Sequence, residues 1–277
     1  MSYDCYKRTA IHNLRITQAG PGDGTVDEGL VLPQSLMELA DISPFEQIVV
    51  TNIRGTNWDN RIYSFAIPGG EGTVEARGSL ARFLIPGDLV CLITRGHMTG
   101  EAMARYRRGE LPLVDIGFAP DLNFENRLED AMLMLEYPER KEPATAVPAA
   151  LLADREEHAL RIHLSHLVQG LEVTATHPDC LQGSAEIPHD VMEMAGLTRY
   201  QSVFVYNASQ GGMAETYVVP MPSGVVMTTG AMAGFAPRGS RTNIAVYRIG
   251  RPVEPPRILR VRDNAASASE LVLEHAL

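Results

Sequence analysis

The chain has 277 residues, 45% of them hydrophobic and 21% charged, with a formal net charge of −10. That length accommodates two units of ordinary size, each with a core of its own, and the composition tells against disorder. No apolar run approaches the ~20 residues of a membrane span, and the acidic balance, without a basic stripe carrying interleaved aromatics, tells against a nucleic-acid partner.

From the N-terminus, Met1 to Arg8 has no apolar stretch of the signal-peptide kind, so the cytoplasm is the expected compartment. Cys5, Cys91 and Cys180 are widely spaced and odd in number, which argues against a disulfide framework and against a zinc site. Cys180, four residues before Ser184, has two readings, a reactive thiol and a small buried hydrophobe, and the second is the expectation.

Residues 1–125 read as a first module. Strand-like blocks such as Gln47 to Thr51 and Leu89 to Ile93 are bounded by Gly, Pro, Asn and Asp clusters. Pro33 to Ala40 reads as a short helix, because Leu36, Leu39 and Ala40 fall at i, i+3 and i+4 and Pro33 suits a first turn. Another short helix is predicted from near Thr99, carrying Arg105 to Arg108 on a solvated face. Residues 126–160 read as a helical, Pro- and Ala-rich linker: Leu128, Met132 and Leu135 have helical spacing, Lys141 to Ala150 is rich in Pro and Ala, and a further helix is predicted to lead onward. On that helix His158, His163 and His166 stand at i, i+5 and i+8, a poor match to the i, i+4 spacing of metal ligands, so no metal is predicted. Residues 161–277 form a second module, with a helix over Pro188 to Ala195 and a frayed tail from Ala265.

The second module repeats the first. Leu14 to Thr17 corresponds to Leu171 to Thr174, Leu32-Pro33 to Ile187-Pro188, and Met37-Glu38 to Met192-Glu193. Ile48 to Asn52 falls on Val203 to Asn207 at an offset of 155, and Phe65 to Pro68 on Tyr217 to Pro220 at 152. Gly78, Ala81 and Gly87 keep the latter offset onto Gly230, Ala233 and Gly239. Such self-similarity marks a tandem architecture. One dipeptide differs in kind: Gly183-Ser184 stands where the first copy has Glu28-Gly29.

A Gly-Ser bond at a strand end has a specific chemical capacity. If the backbone is strained, the serine oxygen can attack the preceding carbonyl to form an ester. Elimination of the acyl group then leaves dehydroalanine, which hydrolyses to an N-terminal pyruvoyl group, a ketone that condenses with amines and withdraws electrons.

The context of that dipeptide resembles the pyruvoyl-dependent aspartate 1-decarboxylase family, whose members self-cleave at Gly-Ser and convert aspartate to β-alanine. Ile11 to Thr17 looks like the family's opening strand, Asn60 to Ile67 its arginine-bearing strand, and Gly87 to Ile93 with Glu101 to Arg105 its last strand and helix. Leu171 to Leu197 resembles the cleavage region, Glu215 to Val219 the strand with the family's threonine and tyrosine, and Pro256 to Arg262 the terminal segment. The resemblance implies a mainly β fold with short helices, two tandem double-psi β-barrel modules. Because the family assembles as a tetramer with sites between subunits, it also implies a homodimer that restores a pseudo-tetramer.

The same resemblance assigns roles by position. Ser184 would yield the pyruvoyl cofactor after cleavage from Gly183, Tyr217 would return a proton to the substrate carbon, and Thr216 would contact the substrate. The loop Gly230-Ala231-Met232 would hold it by its backbone, and Arg61 would clamp a carboxylate. The first copy has Phe65 and Ser64 at the tyrosine and threonine positions, and the second has Met213 in place of Arg61, so one composite site is implied. The family's processing asparagine is Thr229 here and Arg77 in the first copy; its lysine before the opening strand is Ala10 and Leu167, with Lys7 and Arg8 nearby. Taken singly, Tyr217 reads as a sheet tyrosine and Arg61 as a surface partner of Asp59 or Glu71. Two functions follow as expectations: a decarboxylase of aspartate or a related amino acid, or a catalytically silent paralogue acting as a binding or assembly subunit.

Overall fold

The computed structural model describes residues 3–53, 61–118, 126–250, 255–262, 264 and 267–271. The first half runs through β1 (Tyr3–Arg15), β2 (Gln18–Gly20), β3 (Gly29–Pro33), α1 (Gln34–Leu39), β4 (Gln47–Asn52), β5 (Arg61–Gly69), β6 (Glu75–Arg77), β7 (Leu89–Thr99), α2 (Gly100–Arg107) and β8 (Leu113–Gly117). A hairpin, β9 (Met132–Glu136) and β10 (Lys141–Ala144), and a helix, α3 (Ala149–His158), lead to the second half. That half comprises β11 (Ala159–Glu172), β12 (Ala175–His177), β13 (Ser184–Pro188), α4 (His189–Ala195), β14 (Ser202–Asn207), β15 (Met213–Met221), β16 (Met227–Thr229), α5 (Ala231–Phe235), β17 (Arg241–Gly250), β18 (Arg257–Arg262) and β19 (Ser267–Leu271).

Strand pairing repeats element for element. β1 lies antiparallel to β7 and parallel to β8, as β11 does to β17 and β18. β3 runs parallel to β5 and antiparallel to β6, as β13 does to β15 and β16. β2 and β6 are parallel, as are β12 and β16. β4 bridges β5 and β7, as β14 bridges β15 and β17. Even the bulges match: the shift between Ile11 and Leu14 in β1 recurs between Val168 and Leu171 in β11, with Asn13 and Gly170 both at positive φ. The fold is mainly β with short helices, two tandem double-psi β-barrel modules.

Both short helices begin where the chain must leave a parallel strand. Pro33 and Pro188 precede α1 and α4 as N-caps, and each helix buries one face, Leu36 and Met37 in α1, Val191 and Met192 in α4. Leu39, expected on that face, is only half-buried. Thr99 caps α2 by accepting from the Ala102 amide at 3.2 Å.

Three expectations are corrected. Met132 to Glu136, read as helical, is strand β9, because Leu133 and Leu135 alternate into the core while it pairs with β8. His163 and His166 lie in β11 rather than on the predicted helix, which ends at His158. Ser267 to Leu271, read as frayed, pairs with β18 as β9 pairs with β8.

Each half has its own apolar cluster. A third cluster forms at the seam, where Val26, Phe45, Phe65 and Ile67 of the first half are buried against Leu164, Leu167, Tyr206, Ala245 and Ile258 of the second. β11 also adds to the end of β7, pairing Ala159 with Met98. Beside it lies a buried ion network: Arg8 pairs with Asp41 and, at 2.6 Å, with Glu46, while Arg161 reaches Asp41 at 2.6 Å and Glu46 at 3.1 Å. Arg8 is thus committed to the seam, and Lys7 to Glu136 at 2.9 Å.

Candidate active site

Ser184 opens β13 and lies in register with Tyr217 of the parallel β15. The turn before it is shaped by Gly230, at φ 50°, where a Cβ would come within 2.7 Å of the Cys180 carbonyl. The tight approach needs glycine there. Gly183 itself is not among the described residues with positive φ, and a Cβ on it would meet only ordinary contacts with Met232 and Ala231. The backbone strain expected at the Gly-Ser bond is therefore not in Gly183's φ.

What surrounds the bond is a set of hydroxyls and one carboxylate. Thr216 Oγ1 donates to the Gly183 carbonyl at 2.7 Å. Thr229 Oγ1 accepts from the Ser184 amide at 2.9 Å and donates to the Gln182 carbonyl at 2.8 Å. The Ser184 hydroxyl lies 2.8 Å from Thr229 Oγ1 and 3.2 Å from a carboxylate oxygen of Glu186, to which it donates. Thr216, Thr229 and Ser184 are buried. The carbonyl that an attacking oxygen needs is thus polarised by one donor, and the attacking hydroxyl has an acceptor for its proton.

Glu186 was missed by sequence reading, although the period of two in a strand puts it on the face of Ser184. The bond borders a cavity of about 640 Å³ lined by Cys180, Gln182, Glu186, Tyr200, Tyr217 and Val219. Cys180 is half-exposed there, not the buried hydrophobe expected. Tyr217 is 56% exposed at the rim. The Gly230-Ala231-Met232 loop abuts Gly183, with the Met232 side chain buried beneath it.

Arg61 is not brought to this cavity within the chain. It begins β5, exposed, opposite Thr51. Of its expected surface partners, Glu71 accepts from the Ser35 hydroxyl at 2.5 Å, and Asp59 lies outside the described residues. Met213, its counterpart in β15, packs against the seam cluster and the first half's core.

The first copy's counterpart of the Gly-Ser bond is chemically closed. Glu28, wholly buried, accepts from the Ser79 amide at 3.0 Å and hydroxyl at 2.6 Å, and from Asn243 Nδ2 of the second half at 3.2 Å. Burial raises its pKa to about 7, against the pull of those hydrogen bonds. Phe65, where the second copy has Tyr217, is fully buried.

A second polar cluster occupies the outer face of β1. His12 Nε2 lies 2.9 Å from Asp115, its Nδ1 is 3.5 Å from the Cys91 thiol, and Lys141 of the inserted hairpin reaches Asp115 at 2.9 Å. The hydrogen bond to Asp115, then that to Cys91, raises the His12 pKa to about 10. Desolvation works against Asp115, yet the bonds from His12 and Lys141 hold it at about 2.

Among the described residues no helix is long and apolar enough to cross a membrane. Compared with known proteins, the chain matches the sequence pattern of the family described as Aspartate decarboxylase twice, over residues 4–114 and 161–265. It is 35% identical over 104 residues to the aspartate 1-decarboxylase of Syntrophobacter fumaroxidans, covering 36% of this chain and 77% of that protein. With the aspartate 1-decarboxylase of Desulfitobacterium hafniense the identity is 36% over 118 residues, 41% of this chain and 85% of the relative. Herminiimonas arsenicoxydans has a similar protein of the same name, 36% identical over 101 residues, 36% of this chain and 80% of the relative. Both halves carry the pattern, and the chain belongs to the aspartate decarboxylase family.

Proposed function

We propose that the chain is a cytoplasmic, self-processing, pyruvoyl-dependent decarboxylase of aspartate or a closely related acidic amino acid. Residues 161–277 form its catalytic module, and residues 1–125 a degenerate one. The observation that carries this reading is the geometry at the Gly183–Ser184 bond: a carbonyl held by Thr216 and a serine hydroxyl held between Thr229 and Glu186. In processing, Glu186 takes the Ser184 proton as Oγ attacks the Gly183 carbonyl, and Thr216 stabilises the developing oxyanion. The amide breaks as the ester forms, the Ser184 nitrogen taking up a proton. Elimination frees the Gly183 carboxylate, and hydrolysis of the dehydroalanine releases ammonia. The pyruvoyl group so formed at position 184 supplies an electron sink for loss of carbon dioxide. Tyr217, at the cavity rim, reprotonates the substrate carbon, and the Gly230-Ala231-Met232 backbone with Thr216 positions the substrate. The three free cysteines suit a reducing compartment.

The catalytic unit is a homodimer. Within the chain, the second half covers Val26, Phe45, Phe65 and Ile67. Their counterparts around Ser184 are Leu181, Tyr200, Tyr217 and Val219; the first three are exposed and the last half-buried. A second copy laying its first half here, in the same manner, buries that rim. Because Met213 faces the seam within the chain, its counterpart Arg61 then comes from the partner to clamp a substrate carboxylate.

The test is intact-mass measurement of the purified protein. Two fragments divided before residue 184, the C-terminal one carrying the pyruvoyl mass and resistant to Edman degradation, are expected, with carbon dioxide released from aspartate. A single uncut polypeptide without turnover would instead identify a silent binding or assembly subunit.

A further inference from the structure

A second cavity, also about 640 Å³, lies at the seam over the sealed Glu28 turn and away from Ser184. One wall is the glycine-rich segment from Gly20 to Asp27 with Gly78 and Arg82; the other is Ser209, Arg241, Asn243 and Arg260 of the second half. Three guanidinium groups therefore face one carboxylate, Asp27. Arg260 commits Nη2 to Asp27 at 2.6 Å, while its buried Nε has no partner among the described residues. Among the described residues Arg82 engages Nε alone, donating to the Ala208 carbonyl at 3.1 Å. Among the described residues neither Arg82 nor Arg241 has a carboxylate partner.

Like charges in excess of their counter-charge repel, and in a protein of net charge −10 such a basic cleft is locally opposite to the whole. We propose that this cleft is a binding site for a small dianion, a dicarboxylate or a phosphoryl group, held by Arg82 and Arg241 beside the Arg260–Asp27 pair. The lining leaves an excess of two positive charges, which a dianion neutralises, and planar guanidiniums bind such oxygens in pairs. The volume is that of a small-molecule site. Because the walls come from both halves, the ligand cross-links them and stabilises the seam.

The experiment is titration calorimetry on the full chain with sodium succinate and, separately, sodium phosphate, at ionic strength matched with chloride and with acetate as the monoanion control. One saturable site per chain is expected, with a melting temperature that rises with ligand. Arg241→Ala should weaken binding about ten-fold, the loss of one charge-assisted contact, and the Arg82→Ala, Arg241→Ala double variant further. Succinate binding alone assigns a dicarboxylate site and phosphate binding alone a phosphoryl site. Absence of saturable heat with either, or unchanged affinity in a double variant with the parent's circular dichroism, overturns the proposal. So does binding abolished by Tyr217→Phe and untouched by the arginine variants, which would place the ligand at the Ser184 cavity.

Discussion

At the scale of single residues, two carboxylates in corresponding regions of the two copies have opposite surroundings. Glu186 lies at a partly open cavity beside a hydroxyl, whereas Glu28 is enclosed and held by the Ser79 amide and hydroxyl, Asn243 and the Gly29 amide. Replacement of Glu186 by Gln removes the proton acceptor, and processing should slow by roughly 10²-fold or more, read as the fraction cut over time on a denaturing gel. Thr216→Val should slow it by about 10²–10³, the effect of one oxyanion donor. Cutting at the parental rate in both would remove them from the processing step. Tyr217→Phe should leave cutting intact and abolish carbon dioxide release. Glu28 makes a separate pH prediction. Its folded pKa of about 7 lies above the ordinary 4.5, so between those values the folded chain keeps a proton that the unfolded chain has released. Stability then falls as pH rises through that window and stays lowered above it, by roughly 3 kcal/mol. Glu28→Gln should lose this component. Its melting temperature relative to the parent should therefore be higher at pH 8 than at pH 5, and a constant difference would refute the assignment. From sequence, Ser184 and Tyr217 stood out because the two copies differ there. Glu28 was visible only as a replacement, since burial that turns a surface-type residue into a sealed plug depends on Ser79 and Asn243, which lie far from it in the chain.

At the scale of elements, those with a local cause were legible. α1, α2 and α4 have a proline or threonine at the start and an apolar face, and they form where expected. β9 was not, because Leu128, Met132 and Leu135 fit a helical period while Leu133 and Leu135 fit a strand, and only pairing with β8 decides between them. Similarly β11 takes over at Ala159 because it pairs there with β7 and further along with β17 and β18, a non-local preference that outweighs helical spacing. The seam's ion network belongs to this scale. Removing Arg161 takes one of two guanidinium partners from Asp41 and Glu46 in a buried setting, so Arg161→Met should lower the unfolding free energy by about 3–5 kcal/mol in urea. An unchanged midpoint would mean that the network contributes specificity and no stability.

At the scale of the whole molecule, the internal repeat has a direction. The second half caps the first, and the rim of Leu181, Tyr200 and Tyr217 in the second remains uncapped in a single chain. A head-to-tail contact of this kind closes when a second copy completes the circuit. Tyr200→Asp should therefore shift the protein from the mass of two chains to that of one in sedimentation equilibrium, and a dimer that persists would place the interface elsewhere. Duplication was legible in the spacing of ordinary residues. Which face remains open was not, because it depends on how the copies pack.

The uncapped rim also decides who owns a catalytic centre. If each cavity borrows Arg61 from its mate, Ser184→Ala and Arg61→Ala chains, each inactive alone, should rescue one another after co-refolding. Random pairing makes half the dimers hybrid, each with one intact centre of two, so activity should recover to about a quarter of the parental value. Such complementation between two dead alleles is open only to a protein whose working parts are divided across molecules.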